Sequence, residues 1–261
     1  LRERPSSAYP FLRTVLRGTP KETLRDDIRR AIESFIRGKA RIRDFDAIYD
    51  LSGFYVSEFG FRNQDEPFRR DFLGLLEQTA QAWKRQAPMK HIFLLSLVAE
   101  FFPEEPAGRK ARQEATRLAF QMVSSYPVNQ TNKIPPPSGL PGLSIVCLDN
   151  HTDYHLLSFY QGTECFFVRL GPYARGVIIL KDGDYRLAVI TTSTDIVPYG
   201  ATLSLNSHIT TASYRISVPD DSDPIAINGR IAWGEFQLLR APDDVGAFCL
   251  DSKTGAVARR P

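Results

Sequence analysis

The chain has 261 residues, 43% of them hydrophobic and 24% charged, with a formal net charge of +3. That is enough apolar material for one large or two ordinary cores, which excludes an unstructured polar chain. The longest apolar run, Ile92 to Ala99, stops at Glu100 and falls short of the roughly 20 residues that cross a bilayer, so no transmembrane segment is expected.

The charge is uneven. Residues 1–43 hold twelve Lys or Arg against five Asp or Glu, whereas from Asn132 onward eleven basic residues face thirteen acidic ones. A basic arm can seek phosphates, acidic lipids or an acidic protein. Here Arg25, Arg29 and Arg30 interleave with Asp26, Asp27 and Glu33, as on a solvated helix face. No nucleic-acid binding is therefore expected. The chain begins at Leu1, not Met. A removed signal peptide, an ordered fragment and a trimmed chain all fit that start, so extracytoplasmic and cytoplasmic locations stand level.

The first helix is predicted over residues 20–37. Thr19 supplies an N-cap, Pro20 the first helical position and Glu22 the reciprocal acceptor of a capping box. Leu24, Ile28, Ile32 and Phe35 recur at spacings of three and four, which predicts one buried stripe, and Gly38 suits the C-terminal cap. A second helix places Phe45, Ile48, Leu51, Tyr55 and Phe59 on one face. Pro67, Pro88 and Pro106 then open three more: one with Phe68, Phe72, Leu75, Leu76, Thr79 and Trp83 inward, a central apolar one stopped by Pro103, and a last with Ala111, Ala115, Leu118, Phe120 and Met122 inward. Five helices with short connections make a bundle. The aromatic residues dense between Phe45 and Phe72 read as its core in preference to a base-stacking platform, and His91 as a packed or capping residue.

Texture changes near Pro135-Pro136-Pro137. Residues 126–142 hold five prolines and two glycines, too many breakers for a continuing element. From Leu143 the chain reads as short β-formers separated by turns such as Asp182-Gly183-Asp184, Pro198-Tyr199-Gly200 and Asn228-Gly229. Lys181 to Asp184 reads as a tight turn joining Val177–Leu180 to Tyr185–Ile190. The expected fold is thus α+β in segregated domains: a helical bundle over 1–126, a stiff proline-rich linker over 127–142, and an antiparallel β-sandwich or jelly-roll-like domain over 143–261.

Chemistry-bearing motifs are sparse. There is no GxSxG, HExxH, phosphate-binding GxxxxGK[ST] or GxGxxG signature, and no catalytic residue is assigned. Cys147, Cys165 and Cys249 lack metal spacing and read as buried free thiols. His151, Asp153 and His155 would share one face of an extended strand and suit zinc or iron, with His208 as a further imidazole. The run from Asp149 to Asp153 reads more like a turn, so no cofactor is expected. Asn129-Gln130-Thr131 and Asn150-His151-Thr152 match the glycosylation acceptor pattern, as chance matches do in a chain of this composition.

These observations favour a non-catalytic interaction or assembly subunit, with a protein partner or a second copy of the chain. One alternative is a ligand-binding β-module, with carbohydrate as the ligand class, using exposed aromatics at Tyr160, Tyr173, Tyr199 or Trp233. The other is a metal-dependent hydrolase built on His151, Asp153 and His155.

Overall fold

A computed structural model describes residues 14–16, 18, 22–61, 67–123, 133–134, 142–193, 198–206, 209–214, 237–240, 248–250 and 257–259. The class is α+β, with helices and strands segregated along the chain. Contacts divide it into two units, Leu1–Leu118 and Ala119–Pro261.

Residues 14–16 and 18 are helical. Five further helices follow: α1 (Glu22–Arg41), α2 (Phe45–Glu58), α3 (Pro67–Trp83), α4 (Pro88–Phe101) and α5 (Pro106–Val123). Pro67, Pro88 and Pro106 are the first residues of their helices, where proline's fixed φ is already helical and its missing N–H is not needed. Thr19 and Pro20, half of the expected capping box, lie outside the described residues. None of the described helices is long and apolar enough to cross a membrane.

Gly38 does not end α1, which runs on to Arg41. The left-handed residue is instead Arg43, at φ 54°. Around it the Arg43 N–H donates to the Ala40 carbonyl and the Asp44 N–H to the Lys39 carbonyl, both at 3.1 Å. This is a Schellman closure with arginine where glycine is the usual choice. Asp44 then caps α2 through its side chain, which accepts from the Ala47 N–H at 3.2 Å. Arg43 is exposed, so Arg43→Gly should raise stability by about 1 kcal/mol, the cost of holding an L-residue in this conformation. An unchanged or lower urea midpoint would count against that assignment.

The core of the helical unit is aromatic. Phe72, fully buried, has its ring centroid within 6.3 Å of those of Tyr55, Phe61, Phe68, Phe101 and Phe102. Phe45, Tyr49, Trp83 and Phe93 form a further set of ring contacts. Between Phe45 and Phe72 the rings of Phe45, Tyr49, Phe54, Tyr55, Phe68 and Phe72 are therefore interior and those of Phe59 and Phe61 half-buried. Arg69 lies over Phe61 and Phe102 while pairing with Glu105. His91 is 1% exposed, and its Nδ1 lies 2.8 Å from the Ala80 carbonyl, which ties α4 to α3.

That geometry has a pH consequence. Burial lowers the His91 pKa, opposed by the Ala80 hydrogen bond, with Lys84 lowering it further and Glu114 raising it. The neutral ring's contribution is then complete above the ordinary imidazole value of about 6.5 and is lost as pH falls through the lower folded-state value. Urea midpoints should drop on acidification below that point in the wild type, and less in His91→Gln. Equal drops in the two proteins would exclude His91 as the source.

In the second unit, β2 (Leu143–Asn150), β3 (Leu156–Gly162), β4 (Cys165–Leu170), β5 (Arg175–Lys181), β6 (Gly183–Thr191) and β7 (Tyr199–Leu205) pair only antiparallel with one another. They form two sheets. One is four-stranded in the order β4-β3-β6-β7. The other is five-stranded, β1-β8-β2-β5-β9, and gains β1 (Lys133–Ile134), β8 (Ile209–Tyr214) and β9 (Gln237–Arg240). It is mixed, not purely antiparallel, because β8 joins β2 and β9 joins β5 in parallel. A separate pair, β10 (Phe248–Leu250) and β11 (Val257–Arg259), is antiparallel. Lys133–Ile134 falls inside the proline-rich segment; residues 124–132 and 135–141 lie outside the described ones.

Alternate residues of both sheets supply one core: Val146 and Leu148, Leu156 and Tyr160, Phe166 and Val168, Ile178 and Leu180, Tyr185 and Leu187, Leu203 and Leu205. The turn at 181–184 does not join paired strands. β5 lies in the five-stranded sheet and β6 in the four-stranded one, so the chain changes sheet there. Gly183 makes the corner at φ 143°, where an added Cβ would overlap the Thr163 hydroxyl. Ser144 secures it by donating to Asp182 Oδ1 at 2.6 Å.

Candidate interaction surface

Helix α1 carries two adjacent faces. Ile32 and Ile36 are buried. Beside them the Tyr55 hydroxyl donates to Glu33 Oε1 at 2.9 Å, and Arg29 pairs with the same carboxylate at 3.3 Å. Arg25 donates to the Glu58 carbonyl at 2.6 Å, while Arg37 reaches Asp71 at 3.1 Å and lies over the Phe68 ring. These polar anchors to α2 and α3 set the rotation of α1 about its axis. They fix Ile32 and Ile36 inward.

The same rotation turns part of the expected core stripe outward. Leu24 is 45% exposed and Phe35 52%, so the prediction that both pack inside is corrected. Ile42, just past the helix, is 70% exposed. Ala31 and Gly38 are also exposed and Ile28 is half-buried. Leu24, Ile28, Ala31, Phe35, Gly38 and Ile42 follow one another at alternating spacings of four and three, which is the spacing of a coiled-coil seam. Among the described residues, three of the four exposed large hydrophobics lie on this seam.

The residues singled out from the sequence fall elsewhere. Tyr160 is corrected: it is fully buried in the β core, stacked on Phe166 at 4.8 Å, and offers no exposed ring. Tyr199 is half-buried, and burial pushes its hydroxyl above the usual phenol range. Trp233 and His208 lie outside the described residues. Tyr173 is the exposed one, at 70% and φ 52°, its N–H donating to the Thr152 carbonyl at 3.1 Å.

His151, Asp153 and His155 are not on a strand. Residues 151–155 form a bend between β2 and β3, so strand alternation does not place the three on one face. His151 Nε2 instead lies 3.0 Å from Asp149 Oδ2, which also pairs with Arg175 Nε at 3.2 Å. Among the described residues no three His, Cys, Asp or Glu side chains come together as a metal site. The bend is organised by Asn150, fully buried, which donates to the Tyr154 and Gly171 carbonyls at 2.8 and 2.7 Å and accepts from the Thr152 N–H and hydroxyl. That side chain is closed to glycosylation in the folded state; Asn129 is outside the described residues. Cys147 is buried, and desolvation pushes its thiol up to about 12. Cys165 is exposed, contrary to expectation, because it opens β4 at the hairpin end.

No family model, curated protein or solved structure matches the chain.

Proposed function

We propose that this protein is an interaction or assembly subunit that docks a protein partner on the outward seam of α1. The observation that supports this reading is the continuity of Leu24, Phe35 and Ile42 on one exposed line, held outward by the polar anchors on the opposite side. Large apolar side chains aligned in this way gain from burial about 25 cal/mol per Å² of covered surface, whereas singly scattered ones carry no such meaning. A photo-reactive amino acid placed at Phe35 and activated in the protein's own cells should give a covalent protein adduct. The same group at exposed Gln161 should not. Absence of adducts at position 35, or equal adducts at both, would overturn the reading.

A second reading rests on Tyr173. Its exposed ring stands two residues from Arg175, and so from the Asp149–His151 pair, at one end of the β unit. An exposed ring beside hydrogen-bonding groups suits a sugar, whose apolar face stacks and whose hydroxyls are polar. Tyr173→Ala should abolish any glycan retention shown by the wild type. Wild-type failure to retain any glycan would remove this reading.

A further inference from the structure

We infer that the partner on the α1 seam is a second copy of this chain, paired with it as an antiparallel two-helix contact about a twofold axis. This inference rests on the interaction reading above and names its occupant. The seam alternates large and small side chains: Leu24, Ile28, Ala31, Phe35, Gly38 and Ile42. In an antiparallel pair each position of one register class faces the other class. Ile28 then meets Gly38 of the second copy, Phe35 meets Ala31, and Ile42 meets Leu24. Every bulky residue but the last pair faces a small one, so knobs fill holes on both sides of the axis. Nothing lies within 4 Å of a Cβ built on Gly38, so the space opposite Ile28 is open.

Parallel pairing fails the same test. It would set Phe35 against Phe35 and leave layers of Ala31 against Ala31 and Gly38 against Gly38, alternately crowded and empty. Charge favours the same choice. Flanking the seam on one side are Asp27, Ser34 and Arg41, with Asp27 and Arg41 both exposed. Antiparallel pairing brings Asp27 beside Arg41 of the second copy, twice by symmetry, while parallel pairing brings neither to an opposite charge. On the other side Arg25 and Lys39 of the two copies approach one another. Lys39 is offset within its own chain by Asp44 at 2.8 Å and lies over the Phe35 ring of the seam, while Arg25 is held back by the Glu58 carbonyl and the Phe59 ring. A twofold contact of this kind is self-complementary and closes at two subunits.

Sedimentation velocity on the purified chain tests the inference. The wild type should show a concentration-dependent species of twice the chain mass, and Phe35→Glu should sediment as a monomer with an unchanged circular dichroism spectrum. Asp27→Arg and Arg41→Asp should each raise the dissociation constant about tenfold, as two exposed ion pairs turn to repulsion. The variant carrying both changes should return to within about threefold of wild type. A monomer at every concentration, a dimer indifferent to Phe35→Glu, or a double reversal that does not restore affinity would each overturn the inference. The broader interaction reading falls separately: adducts at position 35 in cells with a mass other than twice the chain would keep it while this inference fails, and no adducts at all would remove both.

Discussion

Phe72→Ala is expected to lower the stability of the helical unit by about 4 kcal/mol, the range for truncating a buried aromatic ring. Phe72 is fully buried, stacks on Phe68 at 5.4 Å and on Phe101 at 6.2 Å, and meets three further rings. Those rings belong to or flank three different helices, α2, α3 and α4, so no one helix can shift to close the cavity without opening another contact. Phe72→Leu, which keeps most of the volume, should cost about 1.5 kcal/mol. Urea unfolding followed by far-ultraviolet circular dichroism measures both. A loss of less than about 1 kcal/mol for the alanine variant, the ordinary size of a surface change, would show that the cluster collapses onto itself.

Gly108→Ala is expected to reverse the usual sign of a helical glycine-to-alanine change. Alanine is ordinarily better than glycine inside a helix by about 1 kcal/mol. Gly74, inside α3, has nothing within 4 Å of its added Cβ, and Gly74→Ala should show that gain. At Gly108 the added methyl would overlap the Phe102 carbonyl, which is backbone and accepts from the Glu105 N–H at 3.1 Å. The short connection from α4 to α5 would have to open, and the expected loss is about 3 kcal/mol. Thermal melts of the two variants should therefore move in opposite directions. A stabilised Gly108→Ala protein would show that this connection yields easily.

Local signals in the sequence carried the helix starts, because proline at a first turn acts through its own φ and missing N–H. The strand positions followed from β-formers bounded by turn residues. Orientation was less legible. The spacing of Leu24, Ile28, Ile32 and Phe35 says that an apolar stripe exists, but Ile36 defines a second stripe beside it. Which of the two faces inward is decided by Glu33 finding Tyr55 and Arg37 finding Asp71, 22 and 34 positions away. Gly38 looked like a stop because its chemistry permits one, yet a cap needs the following residues to close back, and that closure formed at Arg43. The pairing of Asp149 with Arg175 depends on the register of β2 against β5, where they are direct partners. The seam itself could have been found from its alternating spacing of four and three, had the first stripe not been assigned wholly to the core.

The change of sheet at Gly183 has a kinetic side. In the four-stranded sheet, β3–β4 and β6–β7 are hairpins between consecutive strands, and each can form after closing a short loop. In the five-stranded sheet, β2 must wait for β5 across the whole β3–β4 hairpin, and its other neighbour, β8, is more distant still. Contacts of such sequence separation form late and slowly. The two hairpins are then the early contacts, β3–β6 and β2–β5 close later across comparable separations, and until β8 and β9 arrive the mixed sheet stands with two open edges. Those edges, and not the finished surface, are where a crowded refolding mixture would aggregate.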